Sequence, residues 1–206
     1  MISALIALLS VASQTNDWPS DDILSCVESI VVTLKLKRTP GLYLVGFMAA
    51  GKTTIGRALA DALGWPFKDL DAEIESQYAR KIAQIFLEDG EGIFRELETA
   101  MIRMHVSAIE AGNPCVLALG GGAFVQRMNW DLIQNNGVAI WLDCTLETVR
   151  ARLGDGATRP LAADPERLSK LYEDRRPLYA RADFRIDVDT AEIDEIVRHI
   201  LALPIF

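Results

Sequence analysis

The sequence predicts an α/β fold, with a parallel sheet covered on both faces by helices. Three observations carry this. Short apolar runs alternate with amphipathic stretches from Gly41 to near the end of the chain, the rhythm of strand–helix crossovers. The stretch "GFMAAGKTT", Gly46 to Thr54, fits G-x-x-x-x-G-K-[ST], the P-loop whose backbone cradles phosphates. An apolar strand precedes that loop and a helix follows it, which is the setting the motif requires.

The elements follow in order. "LYLVGF" is a buried strand. Thr53 to Leu63 is a helix, and Gly64 stops it. "PFKDLD" is a short strand, and Ala72 to Tyr78 is helical. Ile82 to Phe86 precedes a long amphipathic helix from Phe94 to Ala111. "CVLALGGG" is a strand ending in glycines. "VAIWLDC" is another strand, followed by a helix from Leu146 to Leu153. A Gly/Asp/Pro-rich loop spans Gly154 to Pro165, and a helix runs from Glu166 to Ala182. "FRIDVD" is the last strand, and Ala191 to Leu201 the last helix. There is no internal repeat and no low-complexity tract.

Residues 1–38 read differently and form an N-terminal extension, leaving 39–206 as the P-loop domain. "MISALIALLSVAS" has the short apolar run of a signal peptide but lacks a basic leading segment. A chain that needs ATP is expected in the cytoplasm, so this segment reads as a helical extension. Asn16 to Asp22 is a turn-rich break.

Composition narrows the function. The chain has 206 residues, is 50% hydrophobic and carries a net charge of −8, with a pI near 4.8. That balance suits one well-buried core and argues against a general nucleic-acid binder. It leaves room for small anionic ligands held by local arginines. No run of 18 apolar residues exists, so no membrane span is expected. Three cysteines without C-x-x-C spacing predict neither disulfides nor a zinc site. Cys115 and Cys144 sit in apolar runs and read as core thiols. His105 and His199 have no partners at metal-ligand spacing.

The P-loop chemistry is specific. Backbone N–H groups of Ala49, Ala50, Gly51, Lys52, Thr53 and Thr54 can face the β-phosphate at the positive end of a helix. Lys52 neutralises β/γ oxygens, and the Thr53 hydroxyl holds Mg²⁺. Ala49 stands where many such loops carry Gly. If that position needs a positive φ, Ala costs about 1 kcal/mol there.

Other motifs concern an acceptor. Asp69 and Asp71 lie two apart at a strand end, a spacing that turns both carboxylates to one side. One attends to Mg²⁺ through water, and the other orients a substrate hydroxyl. The bland alternative is a pair of solvated acids with Asp71 as N-cap. "GEGIFRELE" sets Arg95 between Glu91 and Glu98, held so that its guanidinium forks onto a carboxylate, with Phe94 as an apolar wall. An ordinary helix salt bridge is the alternative. Gly120, Gly121 and Gly122 follow a strand directly, where the backbone can approach a ligand; a plain loop would look the same. "GDGATRPLA" holds Arg159 in what reads as a closing lid. Arg175 and Arg176 share a helix, and one or both can reach the crevice.

Together these residues resemble shikimate kinase. The shared order is the P-loop Gly46–Thr53, Asp69-Leu70-Asp71, Gly90 to Glu98, Gly120–Gly122, Thr158-Arg159-Pro160-Leu161 and Arg175-Arg176-Pro177-Leu178-Tyr179. The resemblance implies a nucleoside-monophosphate-kinase-like fold, with a central five-stranded parallel sheet and a mobile lid. It implies ATP-dependent phosphorylation of the shikimate 3-hydroxyl on the route to chorismate and aromatic amino acids. By motif, Asp71, Arg95, Gly121 and Arg175 hold shikimate, with Arg95 and Arg175 on its carboxylate and Asp71 on its hydroxyls. Asp69 helps place Mg²⁺, Arg159 closes over the phosphates, and Arg152 lies against the adenine. The family arginine lies two before the proline, which selects Arg175. Kinases of this kind are often monomers. Two features depart from the family: Ala49, and the segment Ala191-Glu192-Ile193, which has no basic residue.

Rival readings are a related small-molecule kinase such as one for gluconate, and a non-catalytic ATP-binding module. The triglycine with R-x-P-L-Y favours shikimate over gluconate. Intact Lys52, Thr53, Asp69, Asp71 and Arg159 argue against a module without catalysis. A regulatory GTPase is disfavoured, because no N-K-x-D signature is present.

Overall fold

A computed structural model describes residues 41–153, 164–189 and 191–205. Its centre is a five-stranded sheet in the order β2-β3-β1-β4-β5. The strands are β1 (Gly41–Val45), β2 (Phe67–Asp69), β3 (Val116–Ala118), β4 (Gly137–Asp143) and β5 (Phe184–Asp187), and every pairing is parallel. β1 and β3 are buried at every position, as expected of strands covered on both faces. Edge strand β5 alternates between half-buried and exposed positions.

The helices are α1 (Lys52–Leu63), α2 (Leu70–Tyr78), α3 (Ile82–Glu88), α4 (Gly90–Glu110), α5 (Arg127–Gln134), α6 (Leu146–Leu153), α7 (Pro165–Tyr179) and α8 (Ile193–Leu201). α1 turns Ile55, Gly56, Leu59 and Ala60 into the core. Burying a side chain such as Leu59 is worth about 1.5–3 kcal/mol. Gly64 ends this helix in the left-handed conformation, as its sequence predicts. Cys115 and Cys144 are buried and free. His105 is buried, with its Nε2 in hydrogen-bond contact with the Glu73 carboxylate.

Several element boundaries differ from the sequence expectation, and one helix is additional to it. β2 ends at Asp69, and Asp71 belongs to the first turn of α2. α4 begins at Gly90, four residues earlier than expected, because Gly90 adopts a φ of 84° and lets the chain turn out of α3. α5 was not anticipated. It is only eight residues long, has no side-chain N-cap and buries only Asn129 and Ile133, so neither its length nor its start is marked in the sequence.

The strand order places β1 between β3 and β4. The P-loop leaves the carboxyl end of β1, and the triglycine leaves that of β3. Both therefore reach the crevice where strand order reverses, the usual ligand site of such sheets.

Candidate active site

The P-loop forms the first half of the site. Ile55 N–H donates to Gly51 O at 2.9 Å, the first bond of α1. The N–H groups from Gly51 to Thr54 thus have no partner within the helix, and they open the positive end of its dipole. Ala50 departs from expectation: its N–H donates to Phe47 O at 3.3 Å and closes the loop. Lys52 Nζ donates to Gly46 O at 3.0 Å and Phe47 O at 2.7 Å. Arg152 donates to Ala49 O at 3.2 Å and to Val188 O at 2.9 Å. It thereby ties the loop to the segment leaving β5.

Ala49 has a φ of 60°, the region where a Cβ is strained. Ala49→Gly is expected to raise stability by a few tenths of a kcal/mol, roughly what remains of the strain relief after the extra chain entropy of glycine in the unfolded state. Equilibrium denaturation checks this; an unchanged midpoint would mean the loop absorbs the strain.

Thr53 Oγ1 donates to Asp69 Oδ2 at 2.6 Å, while Asp69 Oδ1 accepts from Ala72 N–H at 3.3 Å. Asp69, not Asp71, is therefore the N-cap of α2. The expected i, i+2 strand geometry does not apply, because the chain turns helical between the two acids. Thr53 and Asp69 still present two hard oxygens beside the phosphate loop, a donor set that fits Mg²⁺, which keeps most of its shell for water and phosphate. Among the described residues, no cluster of three or more His, Cys, Asp or Glu suits a metal.

The triglycine is the floor of the second half. A Cβ built at Gly120 would lie 2.5 Å from Asp71 Oδ1 and 2.9 Å from Glu98 Oε1. At Gly121 it would lie 3.4 Å from Arg175 Nη1, and at Gly122 it would lie 2.6 Å from Arg95 Nη1. Asp71 from α2, Arg95 from α4 and Arg175 from α7 thus converge on three successive glycines. A side chain at Gly120 would collide with Asp71 and Glu98 and one at Gly122 with Arg95, whereas a Cβ at Gly121 would stand at ordinary contact distance from Arg175. Arg95 Nη1 donates to Glu98 Oε2 at 2.6 Å, and its Nη2 donates to Glu91 Oε1 at 2.8 Å. Phe94 is buried and touches the site through Arg95, whose guanidinium lies 5.4 Å from its ring centre.

Glu98 is 1% exposed and also accepts from Gln126 Nε2 at 3.2 Å. Burial pushes its carboxyl up to about 7; Arg95 and Arg175 pull it down, and nearby Asp71 pushes it up. The folded chain therefore keeps a proton that the unfolded chain releases near its ordinary 4.5. This favours folding at acid pH and is lost as pH rises through about 7. Glu98→Gln is expected to gain on the parent chain by about 1–3 kcal/mol between about pH 5 and pH 8. Parallel melting curves across that range test this, and a constant gap would mean that Glu98 does not titrate there.

The two arginines of α7 go different ways. Arg175 faces Gly121, whereas Arg176 pairs with Asp143 at 2.7 Å. The residues read by themselves left both open, and the family resemblance selected Arg175. The Tyr179 hydroxyl donates to Gly121 O, and burial pushes its pKa up to about 12. The sequence motif contains Tyr179 but assigns it no role, and no motif marks Gln126. Arg159 and the rest of Thr158–Leu161 lie outside the described residues, as does Thr190. Glu192 is the N-cap residue of α8.

The shikimate kinase family model matches residues 48–203. The chain belongs to the shikimate kinase family. It is 41% identical to the shikimate kinase of Cereibacter sphaeroides over 83% of this chain and 86% of that one. It is 44% identical to that of Ruegeria pomeroyi, covering 77% and 82% of the two chains. Among solved structures, the shikimate kinase from Acinetobacter baumannii in complex with shikimate matches with a TM-score of 0.73 and 36% identity. That match covers 79% of this kinase and 90% of its relative.

Proposed function

We propose that Asp71, Arg95, Gly121 and Arg175 hold shikimate in this kinase while the P-loop holds ATP, and that transfer is to the 3-hydroxyl. ATP-dependent phosphorylation of shikimate is the activity of the family to which the chain belongs. One observation carries the residue roles: an acid and two arginines from three helices meet over Gly120–Gly122, beside the phosphate loop. Arg95 and Arg175 offer planar forks that match a carboxylate. Gly120 and Gly122 leave room for the Asp71 and Arg95 side chains to approach the loop backbone. Asp71 accepts the proton of the attacking hydroxyl.

The phosphoryl group needs positioning and charge neutralisation more than covalent help. Lys52 supplies a cation, and the N–H groups of Gly51 to Thr54 supply oriented dipoles. Thr53 and Asp69 would hold Mg²⁺, which adds positive charge at the phosphates when bound. Arg152 is assigned to the adenine side and Arg159 to the phosphates. The activity is assigned to residues 39–206, with 1–38 as an extension. The same reading has the enzyme act as a cytoplasmic monomer without nucleic-acid or membrane partners. No described helix is long and apolar enough to cross a membrane.

The test is ADP release in a coupled assay with Mg·ATP and shikimate, gluconate or no acceptor. Strong dependence on shikimate alone is expected. Equal turnover with gluconate would overturn the acceptor assignment.

A further inference from the structure

A second charged cluster stands behind the acceptor site, at the carboxyl end of β4. Asp143, the last residue of β4, is 5% exposed. Its Oδ2 lies 2.7 Å from Arg176 Nη2 and 2.7 Å from Arg185 Nη2. Both guanidiniums lie over the Trp141 indole, at 5.3 and 5.2 Å from its centre. Arg176 also donates to Tyr172 Oη, and the Tyr172 hydroxyl donates to Cys144 O at 2.8 Å. Tyr172 meets Phe47 of the P-loop edge-on at 5.4 Å. The cluster therefore fastens α7 to both β4 and the phosphate loop.

α7 needs such a fastening. Pro177 lies inside it. Its ring removes the helix bond to Glu173 and crowds that carbonyl, so backbone bonding alone fixes the last turns poorly. Arg175 lies two residues before this weak point. Arg176 is its neighbour, about 100° further round the helix. An anchor on Arg176 thus sets the rotation of α7 and the direction of Arg175.

We propose that Asp143 and Arg176 are positioning residues that aim Arg175 at the shikimate carboxylate. The inference rests on the reading of Arg175 as a carboxylate ligand. Burial of Asp143, which raises its carboxyl pKa against the pull of Arg176 and Arg185, fits an anchor rather than a solvated surface pair.

Steady-state kinetics of full-length variants, with shikimate and ATP varied separately, test this. Arg175→Ala is expected to raise the shikimate KM at least about tenfold. Arg176→Gln and Asp143→Asn should each raise it about five- to tenfold while leaving the ATP KM within about twofold. The double variant should do no more than either single change, because one contact is lost in all three. Arg185→Gln, which alters a partner of Asp143 on β5, should leave the shikimate KM near the parent value. A raised KM in Arg175→Ala with none in Arg176→Gln would overturn the positioning role and spare the ligand role. No change in Arg175→Ala would overturn both. A parallel rise in both KM values, or an equal effect of Arg185→Gln, would mark the cluster as merely structural. Should Asp143→Asn fail to fold, Arg176→Gln decides, since that side chain is 35% exposed.

Discussion

Arg95→Ala is expected to raise the shikimate KM by about a hundredfold or more, with ATP binding retained. The lost fork to a carboxylate accounts for about 1.5–3 kcal/mol. A second effect follows from Glu98, which is 1% exposed and loses the cation 2.6 Å away. An uncompensated buried charge costs about 3–5 kcal/mol, so Glu98 would take up a proton and the site would loosen. The double variant Arg95→Ala/Glu98→Gln separates the two effects. It should recover the melting temperature and leave the shikimate KM high. Arg95→Lys keeps the charge but loses the planar fork, and should lie between. Equal loss of ATP and shikimate binding in Arg95→Ala would remove its assigned role.

Asp71→Asn is expected to lower kcat about 10²- to 10⁴-fold, with a far smaller effect on either KM. The amide occupies the same volume, so the close approach to Gly120 survives. What disappears is the group proposed to accept the hydroxyl proton. The substitution also removes a negative charge that raises the Glu98 carboxyl, so Glu98 should ionise at lower pH and keep its pair with Arg95. An unchanged kcat would mean that Asp71 only orients the acceptor and that the proton leaves by another route.

The phosphate half of the site was legible because its parts are adjacent in the chain. Gly46 to Thr54 is one loop, and its strand and helix neighbours are part of the pattern. The acceptor half was legible only as a set of motifs in order. Asp71, Arg95, Gly120–Gly122 and Arg175 span more than a hundred positions, and no local periodicity says that they meet. Phe94 shows the limit: the motif marks an aromatic beside Arg95, but only the structure shows that it is buried. Asp69 and Asp71 show another. Their spacing suggested one strand face, but the strand stops at Asp69 and the cap role falls to it.

The sequence by itself determined the α/β class, the P-loop, the helix stop at Gly64 and the motif order that identifies the family. Each of these depends on neighbouring residues and their intrinsic conformational preferences. Only the tertiary structure decided that Arg175 faces Gly121 while Arg176 turns to Asp143, that Glu98 is buried beside Arg95, and that Ala49 sits at a positive φ. Those outcomes depend on which side chains the crossovers bring together, and on which of two adjacent residues the packing of α7 against β4 turns inward.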